Sequence, residues 1–325
     1  MNQKKVIDIV RNNGIILVIL LLIIITSIIE RNFLTFNNLL NVLRQVSVVG
    51  IVACGMTYCI IGGAFDLSVG SVVSLSGVIT ILSINAGTNE YMAILYGLLA
   101  GVAIGIVNGI LISSIDGRTG EAFIVTYGMQ VVVAAIALFP SNGLFISGRI
   151  SPGFFKSMGQ GVMPIVIFLC LAAFMEFVLV KTKYGRKMVF IGSNLHVAKM
   201  SGINVKFNRI TFFAISGLLA SLGGIVLCSR VTSSNPTVGL NFEMDVIAAV
   251  VVGGTQLSGG KGSVLRTVMG AVIIGIMGNA LNILGITAYH QQIVKGLLII
   301  VAVGMDILNK QIKLREMAHD TVFAG

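Results

Sequence analysis

Between Glu90 and Asp116 the chain reads YMAILYGLLAGVAIGIVNGILISSI (residues 91–115), without one charged side chain. A membrane-spanning α-helix needs about 20 mostly apolar residues, and this stretch exceeds that. A surface helix of a soluble domain shows one apolar stripe and one polar face. Here the apolar residues run all the way round, as in a helix set in lipid or at the centre of a bundle. Gly97, Gly101, Gly105 and Gly109 recur every four residues. Lipid supplies no hydrophobic drive for helices to associate, so small residues on one face matter because they let backbones approach closely. The stretch reads as a tightly packed transmembrane helix, and much of the chain repeats the pattern.

Gaps between charged residues mark ten apolar segments, near 14–29, 45–62, 68–86, 91–113, 122–140, 162–180, 210–229, 244–258, 266–284 and 290–308. The eighth is short for a span, and the second ends in Gly62-Gly63. Either fits a broken or re-entrant helix, so the sequence predicts an all-α polytopic transmembrane bundle of eight to ten spans. Composition agrees: of 325 residues 56% are hydrophobic and 10% charged, with a mean hydropathy of +0.99. Soluble domains carry about 25% charged residues, so the solvent for most of this chain is lipid. The net charge of +10 has no soluble basic face to sit on, which argues against nucleic acid and for basic cytoplasmic loops.

The basic residues also orient the chain. Lys4, Lys5 and Arg11 precede the first segment, and Glu30-Arg31-Asn32-Phe33 follows Ile29 in place of a small-residue cleavage site, so the segment reads as a retained span and not a secretory signal. The stretch 181–209 holds Lys181, Lys183, Arg186, Lys187, Lys199, Lys206 and Arg209 and no acid, whereas 141–161 holds only Arg149 and Lys156. The first is expected in the cytoplasm and the second outside. Six spans before the basic loop and four after it put both termini inside, in accord with Lys310, Lys313 and Arg315. The whole chain, 1–325, reads as a single transmembrane domain.

Several chemistries are excluded. Cys54, Cys59, Cys170 and Cys228 lie inside apolar stretches and read as unpaired thiols. No metal-ligand spacing, Ser/His/Asp set or acid–base carboxylate pair occurs, so neither an enzyme nor a cofactor is expected. Leu257-Ser258-Gly259-Gly260-Lys261 imitates an ABC ATPase signature, but no phosphate-binding G-x-x-x-x-G-K-[ST] run exists: Thr255 stands at the first glycine and Gly262 follows Lys261. The segment reads as a glycine-rich hinge between two helices. Gly62-Gly63-Ala-Phe-Asp-Leu-Ser-Val-Gly-Ser recurs loosely from Gly253-Gly254 onward, a hint of duplicated halves.

Ionisable groups in the membrane region are functional by default. Asp66 sits at the break after Gly62-Gly63, where with Ser68 and Gly70 it could cap a helix start or contact substrate. Asn279 and Asn282, three apart, are expected on one helix face, for a pore or for interhelical hydrogen bonds. Glu176, Lys295 and Asp306 lie near span ends and are expected to reach toward water, Glu176 toward Lys181.

Phe36-Asn37-Asn38-Leu39-Leu40-Asn41-Val42-Leu43, Asp66-Leu67-Ser68-Val69-Gly70-Ser71, Tyr184-Gly185-Arg186, Asp245 through Gly254 and Gly259-Gly260-Lys261-Gly262 resemble, in order, the ribose-type permeases of bacterial ABC importers. The resemblance runs from about residue 33 to 308. It implies a ten-helix permease of the cobalamin-permease-like (type II importer) architecture in the bacterial cytoplasmic membrane, paired with a second permease subunit. It further implies a cytoplasmic tandem ABC ATPase and an extracytoplasmic sugar-binding protein as partners, and a monosaccharide such as a pentose or hexose as substrate. His196, Val197, Ala198, Lys199 and Gly202 then fall on the pattern through which such permeases touch their ATPases, with only Ala198 and Gly202 matching strictly. Loop 181–209 would be the coupling loop. The alternatives are an ion-coupled transporter acting alone, for which Asp66 is the candidate carboxylate, and an ABC permease for nucleosides or amino acids.

Overall fold

The computed structural model describes residues 20–115, 119–301 and 303–304. Lys4, Lys5, Arg11, the start of the first segment, Asp306, Lys310, Lys313 and Arg315 lie outside the described residues. Contacts divide the chain into two compact units, residues 39–275 and the residues on either side of them.

A helix occurs in each of the ten apolar segments. They are α1 (Leu20–Ile29), α2 (Phe36–Ile61), α3 (Val69–Asn85), α4 (Glu90–Ser114), α5 (Thr119–Leu138), α7 (Met163–Lys181), α10 (Val205–Val231), α11 (Phe242–Val252), α12 (Val264–Ile283) and α13 (residues 288–301). Short helices α6 (Phe154–Met158), α8 (Lys183–Ser193) and α9 (Leu195–Met200) complete the set, with strands β1 (Ile146–Ser147) and β2 (Ser233–Ser234). Among the described residues six helices, α2, α4, α5, α7, α10 and α12, are long and apolar enough to cross a membrane. The chain is thus an all-α polytopic membrane protein. The second segment begins earlier than expected because Arg44 does not end it: the helix runs through, and the guanidinium donates to the Gly161 carbonyl at 2.6 Å and to Asn41 at 2.9 Å.

In the 39–275 unit α10 is central, packed against α4 and α3. The glycine row of α4 explains the closeness: a Cβ at Gly101 would strike the Gly217 carbonyl, one at Gly105 the Phe213 backbone, and one at Gly109 the Ile210 backbone. Those partners descend along α10 as the row ascends along α4, so the two helices are antiparallel. At 27 residues, α10 is about 40 Å long. Its first turn follows α8 and α9. Its last turn leads into β2, which pairs antiparallel with β1. Residues 141–161 are a folded cap at that far end and not a plain loop. Asn85 accepts from Arg149 N–H at 2.7 Å and donates to the Ser147 carbonyl at 2.9 Å, while Glu90 accepts from the N–H groups of Phe154 and Phe155 at 3.0 and 2.8 Å. The 181–209 loop and the 141–161 cap therefore sit at opposite ends of one membrane-length helix.

Candidate functional site

The link between α2 and α3, residues 62–68, lies within the bundle. Gly62 abuts the Phe212 ring and Cys59 faces the Phe212 carbonyl, well along α10 from its start. Asp66 and Ser68 are each 1% exposed. Asp66 Oδ1 accepts from Ser68 N–H at 3.2 Å and from Ser68 Oγ at 2.6 Å. Asn108 of α4 donates to Ser68 Oγ at 2.9 Å and reaches Asp66 Oδ1 at 3.5 Å. Ser216 of α10 borders the same carboxyl and the Cys59 thiol. Asp66 thus closes a local Asx-type turn on Ser68, the residue immediately before α3. Gly70, the second residue of α3, leaves the room taken by the Gly239 backbone and the Glu243 carboxylate.

Asn279 belongs to the other unit, where it exchanges hydrogen bonds with Asn38: Asn38 Nδ2 donates to Asn279 Oδ1 at 2.8 Å, and Asn279 Nδ2 to Asn38 Oδ1 at 3.1 Å. Asn282 on the same helix is exposed. Among the described residues no group of three or more His, Cys, Asp or Glu side chains could hold a metal ion.

The 181–209 loop carries two helices, not the one of about two turns expected. In α8 the Thr182 hydroxyl caps the first turn by accepting from Gly185 N–H at 3.2 Å. Tyr184 fastens α8 to the bundle: its ring lies edge-on to Phe212 at 5.8 Å and 6.4 Å from Tyr58, and its hydroxyl shares a 2.9 Å hydrogen bond with Thr211. Burial pushes the Tyr184 phenol above its ordinary pKa, with the Thr211 hydrogen bond working against the rise. Asn194 then starts α9, accepting from the N–H groups of His196 and Val197, both at 3.1 Å. Gly202 ends it at φ +74, with Gly202 N–H on the Lys199 carbonyl and Ile203 N–H on the Ala198 carbonyl. That is a Schellman cap, which glycine adopts without a Cβ penalty. His196, Val197, Lys199 and Met200 form the exposed face. Ala198 is fully buried, so it seats α9 on its own chain and is not itself a surface for a partner.

Where α8 ends, three chain segments meet at backbone-to-backbone distance. A Cβ at Gly192 would strike the Ile61 carbonyl and the Gly260 nitrogen, and one at Gly259 would strike Gly63 and the Gly192 carbonyl. Gly260 N–H donates to the Ile61 carbonyl at 2.8 Å. The end of α2, the end of α8 and the Leu257–Lys261 turn therefore form one backbone junction, beside a cavity of about 600 Å³ lined by Gly62, Gly63, Gly192, His196, Lys199 and Arg209 among others. The sequence echo has a local cause as well. The glycine pairs 62–63 and 253–254 both end a helix with the same three hydrogen bonds, and Gly63 and Gly254 both have positive φ, +83 and +80.

A helix break, an exposed two-turn helix and a backbone junction thus lie side by side at one end of α10. The family described as "Branched-chain amino acid transport system / permease component" matches residues 38–303. The chain belongs to this permease family. The ribose import permease of Haemophilus influenzae is 39% identical over 292 residues, covering 86% of this chain and 88% of the relative. The L-arabinose transport system permease of Escherichia coli K12 is 35% identical over 287 residues, covering 87% and 86%. A probable ABC transporter permease of the same strain is 39% identical over 292 residues, covering 86% and 84%. No solved structure matches the chain.

Some residues of the permease that hold these parts together escape a linear reading. Gly192 looks like any loop glycine until Ile61 and Gly260 are brought against it. Glu176 does not reach toward Lys181. It accepts from Val264 N–H at 2.6 Å, Ser263 Oγ at 3.0 Å and Leu265 N–H at 3.4 Å, and so caps α12. Orphan N–H groups at a helix start attract a carboxylate more strongly than an exposed lysine does.

Proposed function

We propose that this permease is the membrane-spanning subunit of an ATP-binding-cassette importer that carries a monosaccharide across the bacterial cytoplasmic membrane. The carrying observation is that permeases named for ribose and arabinose match it over nearly the full length of both chains. The family description names amino acids, but the named relatives transport sugars. The chain would work as one transmembrane domain of about ten spans in the cobalamin-permease-like arrangement, paired with a second permease subunit. Both termini and the 181–209 loop would face the cytoplasm, consistent with the basic residues of that loop and its place at the opposite end of α10 from the 141–161 cap.

In this reading a loaded sugar-binding protein docks on the 141–161 cap, and a separate tandem ATPase binds the exposed face of α9. ATP-driven closure of the ATPase pulls α9 and α8. Because Gly192 at the end of α8 abuts the Ile61 carbonyl at the end of α2 directly, backed by the Tyr184–Tyr58 ring contact, the motion reaches the link holding Asp66 and the start of α3. Asp66 has its carboxylate engaged by Ser68 and Asn108, which suits a structural pivot better than a proton or sodium site. Proteoliposomes holding the permease, ATPase and binding protein should accumulate a labelled monosaccharide only when ATP is present. Accumulation by the permease alone under a proton or sodium gradient would defeat the proposal and favour an ion-coupled transporter.

A further inference from the structure

Glu243 opens α11 and is 4% exposed. Gln130 of α5, half-buried, donates from Nε2 to Glu243 Oε1 at 2.9 Å. Glu243 Oε2 is buried without a hydrogen-bond partner, lying where a Cβ on Gly70 would come within 2.6 Å of it. A buried polar atom left unsatisfied costs about 1–3 kcal/mol, and more when charged, so such an atom in a folded protein calls for an explanation. Its position supplies one. The carboxylate sits where two interrupted elements begin: α3, after the buried link, and α11, too short to span. Discontinuous helices form the substrate sites of many transporters. The Gln130 side of α5 is also polar: one turn earlier the Thr126 hydroxyl donates to the Ala122 carbonyl at 2.8 Å and lies 3.4 Å from the Phe65 carbonyl of the same link. The rest of α5 from Val131 to Leu138 is apolar.

We propose that Glu243, positioned by Gln130, reads a hydroxyl group of the substrate as it passes and disfavours substrates carrying a carboxylate. A carboxylate accepts hydrogen bonds and donates none. Its free oxygen therefore matches a sugar hydroxyl and repels the α-carboxylate of an amino acid. This rests on the sugar reading above and adds to it a residue that selects substrate class within the membrane.

The test is uptake by proteoliposomes containing the permease, its ATPase and its binding protein, using the parent sugar and its monodeoxy analogues. Wild type is compared with Glu243→Gln and Gln130→Ala. Loss of one charge-assisted hydrogen bond is worth about tenfold or more. Wild type should therefore lose about tenfold in transport efficiency on at least one deoxy analogue, and that penalty should shrink toward onefold in both variants. The same binding protein serves every variant, so its own preference cancels. ATPase stimulation by loaded binding protein should stay at the wild-type level. An unchanged penalty in both variants, or ATPase stimulation falling in step with uptake, overturns the inference and leaves Glu243 a packing residue. If Glu243→Gln does not accumulate, Gln130→Ala at its half-buried position decides alone. Wild type importing a branched-chain amino acid and no sugar overturns the sugar reading, and this inference with it.

Discussion

Gly192→Ala tests the backbone junction most directly. The added Cβ would stand 2.7 Å from Gly260 N and 2.9 Å from Ile61 C, closer still to the Ile61 carbonyl oxygen. Neither neighbour is a flexible side-chain end, so backbone must move by about an ångström. The Gly260 N–H to Ile61 carbonyl bond of 2.8 Å runs through the same space and would break. Overpacking a tight site costs about 1–3 kcal/mol, and buried groups left unbonded cost about 1–3 kcal/mol more, together about 2–6 kcal/mol. That is less than a typical domain's whole stability, so the variant should fold with a lowered Tm. Its defect should be in coupling: ATPase binding and stimulation kept, uptake per ATP hydrolysed cut about tenfold. Gly202→Ala is the control. Nothing lies within 4 Å of its Cβ, and its positive φ costs about 1–2 kcal/mol, so the same substitution there should leave uptake per ATP near wild type. Measuring uptake and phosphate release on one proteoliposome preparation gives the ratio. A Gly192→Ala protein with wild-type uptake per ATP would refute the junction as the relay.

Three further outcomes are expected. Gly202→Leu should reach the membrane in normal amount, because an added Cβ meets nothing within 4 Å, yet fail to retain the ATPase on co-purification, since that space adjoins the exposed face of α9. Cysteines at Ser157 and Ser193, both exposed, should react with an impermeant thiol reagent from opposite sides once Cys170 is replaced, the other native thiols being buried; labelling of both from outside would sink the orientation. Glu176→Ala should lower the detergent Tm by removing the α12 cap, worth about 0.5–2 kcal/mol, with no change in which side either cysteine labels.

The membrane character and the positions of all ten apolar helices could be read from the sequence, because absence of charge over a span is a one-dimensional signal. The close α4–α10 packing was legible for a similar reason: Gly97, Gly101, Gly105 and Gly109 advertise a small face, though not which helix meets it. Arg44 misled the reading, since a long cation can leave a helix it does not terminate. Helix α8 was hidden because its turns are amphipathic and its exposed cations read as loop. Glu176 was misassigned to Lys181 and Gly192 given no role, since each acquires its role from residues more than 60 positions away.

The junction also explains why a repeated glycine pair should appear at two helix ends. A Schellman cap ends a helix within one turn and turns the chain sharply, using backbone hydrogen bonds alone. At Gly63 and Gly254 it leaves the next residues free to approach other backbone, and the turn that follows Gly254 closes on Gly63 and Gly192. A side chain at any of these contacts would add rotamers between the moving parts and absorb displacement. Close-packed backbone shifts as a body instead, because packed interiors yield little to compression. A permease that must carry motion from an exposed helix to a buried link is better served by such contacts than by a salt bridge, whose long side chains hold their geometry weakly. The repeat in the sequence is therefore read most economically as one mechanical fitting used twice, once at the helix end that α8 touches and once before the turn that closes on it.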